Sequence, residues 1–379
     1  MHFCSTFNPV KFKRKITIPL ALLILSVVVS YCLPRCHSAI PFYDRYIFYP
    51  FQSLRGCLSG VIPFSIGDVL YVLGGAWLLV TVGMWVYFLV QFSRCKERLA
   101  ASVLSAVNTV LFVYLFFIFG WGANYYKPPL REYWGLNASD SSEINQSLEY
   151  KKRKATAALI AFDSFLVSNL NIYAPHYHHL AFKEINERAK TFYKTCTDSR
   201  VKQYGLDVKP TFFGYFMDRL AVEGYYNPFT GEGQVVSTLP AYTLPFTVCH
   251  EMAHQAGIAA EGDANLMAYA LCTATDDSTF RYSGYLNIWI YANNRLFRRD
   301  SVLAKQFEAQ LNKLTTAHID TLEQISRKYN NEAAHYSTEL YDNYLKMQDQ
   351  KEGIRSYGNV SSSAWLLEQH RMKGLINIP

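Results

Sequence analysis

The stretch FTVCHEMAHQAGIAAEGDAN, residues 246–265, decides how the rest of the chain is interpreted. His250 and His254 are four residues apart, so on a helix their imidazole rings lie on one face, one turn apart. Two histidines in this arrangement can bind one zinc ion, and Glu251 between them can then take a proton from a water molecule as general base. The pattern therefore predicts a catalytic zinc site with His250 and His254 as ligands.

The residues around this motif predict two short helices that pack closely together. Pro245 is tolerated in the first turn of a helix, and Gly257 is typical of the residue that ends one in a left-handed conformation. Small residues recur at helical spacing on both sides of this glycine: Cys249, Ala253, Ala256, Ala264, Ala268 and Cys272. They permit a tight antiparallel pair, which would bring Glu261 back to the histidines.

A catalytic zinc needs a third protein ligand and an open fourth position. The metzincin pattern HExxHxxGxxH would supply a histidine at residue 260, but Ala260 stands there and excludes it. The following EGDAN is similar to the ExxAN glutamate helix of gluzincin-type peptidases, which implies Glu261 as third ligand and Asn265 as a partner that orients a ligand histidine. The interval from His254 to Glu261 is shorter than in most gluzincins, so Asp263 stays open as the alternative ligand.

The same residues can also be interpreted without a metal. They would then form a core helix in which two histidines are hydrogen-bonded and the glutamate is ion-paired. That interpretation requires a partner for each of three buried polar side chains, because a buried polar group without a partner is costly.

Catalysis by such a site also needs a group that stabilises the oxyanion, usually a tyrosine, histidine or arginine. Tyr357 in GIRSYGN is our choice, and Tyr282, Tyr285 and His335 are the other candidates. The histidine cluster HYHH at 176–179 offers a second possible metal site, although no carboxylate lies nearby at ligand spacing.

Upstream of the motif, GYYNPFTGEGQVVSTLP at 224–240 predicts a turn followed by a strand. This stretch stands where gluzincin-like enzymes have the edge strand that pairs with an extended peptide substrate. An ordinary sheet strand is the equal alternative. Glu232 would border the cleft, and we assign it no chemistry.

The first 124 residues contain three apolar runs without charged residues, each long enough to cross a bilayer. They predict transmembrane helices at about 16–34, 69–93 and 100–122.

Residues 125–379 then form a separate domain, for which we predict an α+β, mainly helical, zincin-like fold with a small sheet and a helical bundle. A helix is expected over 140–170, and a β-rich stretch over 210–238. The helical region from 245 onward is expected to break at 276–278, 330–331 and 353–358.

The distribution of basic residues predicts the orientation of the three helices. Seven lysines and arginines precede the first run or lie in the loop 94–98 between the second and third, against three between the first and second. This asymmetry places the N-terminus in the cytoplasm and residues 125–379 outside it.

The net charge of +7 comes entirely from residues 1–124, so we expect no nucleic-acid partner. Cys36 and Cys57 could form a disulfide or stay as free thiols.

Blocks along most of the chain resemble a known family. They read IPFSIGDVLY, WGANYYKPPL, YYNPFTGEGQVV, PFTVCHEMAHQAGIAAEGDANLMAYALC and YLKMQDQKEGIRSYG, and they cover about residues 41 to 360. They look like an uncharacterised bacterial family of three-pass membrane proteins with a HExxH domain, catalogued as a domain of unknown function. The resemblance implies a bacterial inner-membrane protein with zinc peptidase character.

Taken together, the sequence predicts a membrane-anchored zinc metallopeptidase that acts outside the cytoplasm on a peptide or protein substrate, such as an envelope protein. A zinc-binding sensor or regulator without proteolysis is the first alternative. A transport component is the second, although the predicted spans carry no charge that would mark a transport path. A metal-free scaffold is the third.

Overall fold

The computed structural model describes residues 9–136, 148–198, 201, 205–329, 332–347 and 356–375. The chain is mainly helical with one small sheet, as predicted. It divides into two compact units. The first unit comprises Met1–Phe51, Ile66–Lys127 and Pro228–Thr230, and the second comprises Gln52–Ser65, Pro128–Asn227 and Gly231–Pro379.

The first unit is built from long apolar helices. Its elements are α1 (Pro9–Cys32), α2 (Ile40–Tyr43), the start of α3 (Tyr49–Gly60), α4 (Ile66–Val90) and α5 (Phe92–Gly120). Stretches of α1, α4 and α5 are long and apolar enough to cross a membrane. The predicted loop at 94–98 was wrong, because these residues lie in the first turns of α5. Lysine, arginine and glutamate are good helix formers, so the helix extends beyond the apolar run.

Most side chains of α4 face outward although they are apolar. Leu79 and Val90 are each 76% exposed. Polar contacts within the unit include a hydrogen bond of 3.0 Å from Trp85 Nε1 to Ser102 Oγ and an ion pair of 2.7 Å between Lys127 and Asp44. Exposed apolar surface of this extent is typical of helices that face lipid, which suggests a membrane protein.

The second unit holds the sheet and the remaining helices. The strands are β1 (Val208–Pro210), β2 (Gly224–Asn227) and β3 (Glu232–Val235). The helices are α6 (Leu130–Tyr133), α7 (Leu148–Tyr173), α8 (Phe182–Thr195), α9 (Gly214–Arg219), α10 (Leu244–Gln255), α11 (Glu261–Ala274), α12 (Ser278–Phe297), α13 (Ser301–Glu308), α14 (Lys313–Tyr329), α15 (Glu332–Met347) and α16 (Ser356–Met372).

Several predicted boundaries in this unit differ from the structure. The stretch expected to be β-rich contains the short helix α9 between its strands, because its aromatic residues suit a strand or a helix equally by pattern. The break predicted at 276–278 is confirmed where α11 ends and Asp277 caps α12. The break at 330–331 lies outside the described residues, as do 353–355, and 356–358 are helical.

The three strands form one sheet in the order β1-β3-β2. Strand β3 pairs in parallel with β1 and antiparallel with β2, so β2 is an edge strand. Helix α10 packs on this sheet, and α11, α12 and α16 continue the core away from it. Helix α7 is a fourth helix with the length and apolarity of a span, but Phe162, Leu166 and Leu170 on it are fully buried in this core.

The cysteines are free thiols in the described part of the chain. Cys36 and Cys57 are each exposed and form no disulfide in the described part of the chain, which corresponds to the free-thiol alternative of the prediction. Cys249 and Cys272 are fully buried, as expected for small core residues.

Candidate metal centre

Helix α10 carries the motif and ends where the sequence predicted. Pro245 lies in its first turn, and its last residue is Gln255. Gly257 adopts a φ of +87°, a left-handed conformation that a side chain would disfavour. This reversal lets the chain turn at once into α11, whose first residue is Glu261. The short interval between His254 and Glu261 is therefore sufficient to bring the two helix ends together.

The three predicted ligands converge at this turn. His250 Nε2 lies 3.1 Å from His254 Nε2 and 3.1 Å from an oxygen (Oε2) of Glu261. His254 Nε2 lies 3.6 Å from the same oxygen. No other group of at least three His, Cys, Asp or Glu residues converges in this way within the described part of the chain.

The hydrogen bonds of His254 decide which of its nitrogens faces this cluster. Its Nδ1 lies 2.7 Å from the carbonyl oxygen of Ile258, which can only accept, so Nδ1 carries a proton. In the neutral ring, Nε2 then presents a lone pair towards His250 Nε2 and the carboxylate oxygen of Glu261. A lone pair and a carboxylate oxygen this close together require a proton or a cation between them.

The geometry fits a zinc ion. Ligand atoms of a tetrahedral zinc with bonds of about 2.0–2.1 Å lie about 3.3 Å from one another. The three separations here, 3.1, 3.1 and 3.6 Å, bracket that value. Two imidazoles and one carboxylate are also a ligand set found at catalytic zinc sites. His250, His254 and Glu261 are thus the residues that could hold the metal.

Asp263, the alternative third ligand, makes a contact outside this cluster. Its Oδ2 accepts a hydrogen bond of 2.9 Å from the backbone N–H of Leu130, at the start of α6. Two residues along a helix turn a side chain by roughly 200°, so Glu261 and Asp263 cannot face the same centre. The structure therefore brings Glu261 to the histidines and directs Asp263 away from them.

Ionisation of the three side chains is strongly coupled. Burial alone would lower the pKa of His254, but the charge and hydrogen bond of Glu261, with the charge of Glu251, raise it to about 9. Burial lowers the pKa of His250. Burial would raise the pKa of Glu261, but the two histidines hold it well below its usual range. These directions describe a cluster that keeps a proton among its acceptor atoms when no metal is bound.

Glu251 lies beside the cluster and against the sheet. It is buried, and its Oε2 has no hydrogen-bond partner among the residues that the structure describes. A Cβ added at Gly224 on β2 would lie 2.6 Å from Glu251 Oε1, so a glycine is needed there for the carboxylate to fit. Burial, reinforced by the charges of Glu261 and Glu223 and opposed by that of His254, raises the pKa of Glu251 to about 8.

Asn265 also reaches the cluster. It lies one turn after Glu261 on α11 and is buried. Its side chain acts on His250, where the contact favours the charged form of the ring. The role predicted for Asn265, orienting a ligand histidine through its ring N–H, stays a prediction, because Nδ1 of His250 has no hydrogen-bond partner among the described residues.

Two residues that interact with the carboxylates of this cluster were not predicted from the sequence. Tyr291 on α12 is half-buried, and burial followed by the charges of Glu223 and Glu261 raises its pKa. Glu223 immediately precedes β2, and its carboxylate interacts with Glu251 and with Thr247 on α10. Neither stands in a recognisable motif, and Tyr291 is one of 28 tyrosines. Only the packing of α12 against α10 and α11 distinguishes it.

The other predicted candidates lie elsewhere or outside the described side chains. Tyr357 is in the first turn of α16, and its side chain lies outside the described part. Tyr282 bonds His318 over 2.8 Å, and Tyr285 lies among Tyr173, Glu368 and Arg371. His335 is exposed on α15.

The histidines of HYHH, which were a second possible metal site, are exposed. His178 lies beside Thr279, with its Nδ1 3.1 Å from the hydroxyl oxygen. None of them belongs to a convergent ligand group among the described residues.

The predicted strand upstream of the motif is present as β3, and β2 forms the edge beside it. Glu232 on β3 does not border a cleft: it is fully buried and pairs with Lys209 over 2.7 Å. Tyr225 on β2 bonds Thr211 through their hydroxyl oxygens over 2.7 Å. On the edge strand β2, the Gly224 end lies beside Glu251.

Comparison with known proteins gives one match. No curated protein and no solved structure matches the chain. A family model described as Protein of unknown function (DUF3810) matches residues 43–363, which include most of the first unit, the sheet and the candidate metal centre. The chain therefore belongs to the family of proteins of unknown function DUF3810.

Proposed function

We propose that this protein is a membrane-anchored, zinc-dependent metallopeptidase. The observation that carries the proposal is the convergence of His250, His254 and Glu261 at 3.1 to 3.6 Å, with the buried carboxylate of Glu251 beside them. A structural zinc site usually has four protein ligands, whereas three ligands with an adjacent carboxylate favour catalysis.

When bound, a zinc ion would polarise a substrate carbonyl and lower the pKa of a water to about 7. Glu251 would take the proton of the attacking water and deliver it to the leaving amine. Its position against Gly224 favours this role, because the sheet holds the carboxylate on one side of the centre. Ile258 and Asn265 would keep the two histidines oriented.

Tyr291 replaces Tyr357 as our candidate for the group that stabilises the oxyanion. Its interaction with the carboxylates of Glu223 and Glu261 places it at the border of the centre, and a phenol can donate a hydrogen bond to a developing charge. The Gly224 end of the edge strand β2 is the candidate site for an extended peptide backbone.

The test uses the full chain, because Gln52–Ser65 belongs to the second unit and a fragment starting at residue 125 would lack it. The purified protein should hold about one zinc per chain and cleave members of a peptide library. Glu251→Gln should keep the zinc and lose cleavage by about three orders of magnitude or more. Glu323→Gln, at an exposed glutamate of α14, is the matched control and should change neither. A wild-type protein without zinc would refute the proposal.

A sensor or regulator is the second candidate, and two contacts favour it. Asp263 accepts from the N–H of Leu130, close to the chain that leaves α5. The carbonyl of Gly231 accepts from Gln255, next to His254, over 3.1 Å and from Gln52 over 2.9 Å. Changes at the metal centre could therefore reach both chain segments that lead to the apolar helices. Zinc binding without cleavage of any library member would favour this candidate.

We also propose that the first unit crosses the inner membrane with the N-terminus in the cytoplasm. Single cysteines would test this in a chain whose Cys4, Cys32, Cys36 and Cys57 are serine. In cells with an intact inner membrane, an impermeant maleimide should label Tyr336→Cys but not Glu97→Cys. The reverse labelling would invert the orientation.

A further inference from the structure

From Gln52 onward, the polar face of helix α3 is buried. The residues of α3 that are buried within the second unit are Gln52, Arg55, Gly56 and Ser59. They recur at intervals of three and four residues, so they form one face of the helix. A helix on the surface of a water-soluble protein would bury its apolar face instead.

The opposite face of α3 is apolar and open. Leu54 is 56% exposed, Leu58 is 60% exposed, and Val61, just beyond the helix, is 80% exposed. Cys57 between them is exposed as well. A helix that buries its polar face and exposes its apolar face is the opposite of what is expected in water. It is the arrangement expected where the surrounding medium is lipid.

Hydrogen bonds fix the helix in this orientation. Arg55 donates to Gln52 Oε1 over 2.7 Å, and Gln52 donates to the carbonyl of Gly231 over 2.9 Å. Lys209 donates to the carbonyl of Ser59 over 2.7 Å. Rotation of α3 would leave these buried groups without partners, so the apolar face is held outward.

Exposed aromatic side chains also lie on the segment that follows α3, on the segment before α9, and on α9 itself. Phe64, 44% exposed, lies with its ring centroid 6.1 Å from that of Phe212, which is 62% exposed. On α9, Tyr215 and Phe216 are 70% and 57% exposed. Aromatic residues of this kind are enriched where proteins meet the headgroup region of a bilayer.

The chain connects this surface directly to an apolar helix. Phe64 stands two residues before Ile66, the first residue of α4, which is 25 residues long and apolar enough to cross a membrane. Two residues span at most about 7 Å of chain. Phe64 therefore stays within that distance of the first residue of α4, and its ring contacts that of Phe212.

We propose that the outward face of α3, together with Phe64, Phe212, Tyr215 and Phe216, is embedded in the interfacial layer of the membrane. Its partner is the lipid surface, which the inverted polarity of α3 and its continuity with α4 favour over a second copy of the chain. The proposal rests on α4 crossing the membrane, and it is independent of any peptidase activity.

Collision accessibility of nitroxide labels tests this surface. The full chain, with Cys4, Cys32, Cys36 and Cys57 changed to serine, is placed in bilayers of phosphatidylethanolamine and phosphatidylglycerol. Labels are attached one at a time at Leu58→Cys, Phe216→Cys, Leu79→Cys and Tyr336→Cys. Leu79 on α4 is the lipid reference, and Tyr336, 63% exposed on α15, is the matched aromatic position expected in water.

Labels at 58 and 216 should collide with oxygen more than with a water-soluble nickel chelate, by a ratio several-fold above that at 336. A ratio equal to that at 336 would overturn the proposal, and so would protection from both reagents, which indicates cover by protein. Failure of the reference at 79 to contact lipid would overturn the membrane span as well. Because the labelled side chains are exposed, folding should not depend on them, and two independent positions guard against a local defect.

Discussion

Two regions of the second unit bury a carboxylate, and they balance its charge differently. Glu232 meets the ammonium group of Lys209, whose three donors are directed to Glu232 over 2.7 Å and to the carbonyls of Ser59 and Phe64 over 2.7 and 3.1 Å. Glu261 meets the ring nitrogens of His250 and His254, which carry a positive charge only when protonated.

The difference distinguishes the ion-paired carboxylate of Glu232 from that of Glu261, which is a candidate metal ligand. At Lys209 the chain supplies an ammonium group as the partner of the carboxylate, and the other donors of that group bond backbone carbonyls. At the histidines the chain supplies acceptor atoms and leaves the positive charge to a proton or to a metal. A buried acidic residue is therefore a candidate ligand when its partners are themselves acceptors.

The largest effect is expected from removing a histidine ligand. His254→Ala leaves two of three ligands, and we expect the zinc content of the purified full chain to fall from about one per chain to almost none. Metal analysis after dialysis measures this. His178→Ala, at an exposed histidine, is the control and should keep the metal. Retention of full zinc by His254→Ala would remove the contrast between the two regions.

Breaking the ion pair of the other region should affect stability instead of metal binding. Lys209→Met leaves the buried Glu232 without its cation, and we expect a loss of about 3–5 kcal/mol in the free energy of unfolding. Thermal unfolding in detergent measures the change, and the protein that remains folded should keep its zinc.

A double change sharpens this result. Lys209→Met combined with Glu232→Leu removes both charges and should recover most of the loss. Lys346→Met breaks an exposed ion pair with Asp342 and should cost no more than about 1 kcal/mol. Equal losses of unfolding free energy in Lys209→Met and Lys346→Met would show that the buried pair stabilises the protein no more than the exposed pair does.

Substitutions of the two acidic residues in the first turn of α11 should differ in their effect on zinc affinity. We expect Glu261→Ala to weaken zinc binding by about 100-fold or more, since it removes a direct ligand. Asp263→Ala should leave the affinity unchanged and cost about 1 kcal/mol of stability, because it removes the acceptor for the N–H of Leu130. Competition with a fluorescent chelator gives the affinities. The opposite ranking would make Asp263 the ligand.

The smallest effect should come from Asn265. Asn265→Ala removes the side chain that acts on His250 but no ligand, so we expect zinc affinity to fall by about 10-fold, or 1.4 kcal/mol. Asn287→Ala on α12, where the amide bonds only its own helix within the contacts described, is the control. An unchanged affinity would show that His250 is oriented without Asn265.

Much of the fold could be predicted because it depends on local pattern. Apolar runs predicted α1, α4 and α5, and Pro245 and Gly257 predicted the bounds of α10. The β-rich stretch was only partly correct, since α9 interrupts it. Aromatic residues fit either structure, and packing decides between them.

The sequence by itself determined that His250 and His254 share a helical face, because helix geometry fixes residues four apart. The tertiary structure alone decided that Glu261 joins them while Asp263 binds Leu130, and that Tyr291 borders the centre. It also decided that α3 turns its polar face to Lys209. These choices depend on contacts between residues far apart in the chain, and no local periodicity encodes which buried group will meet which partner.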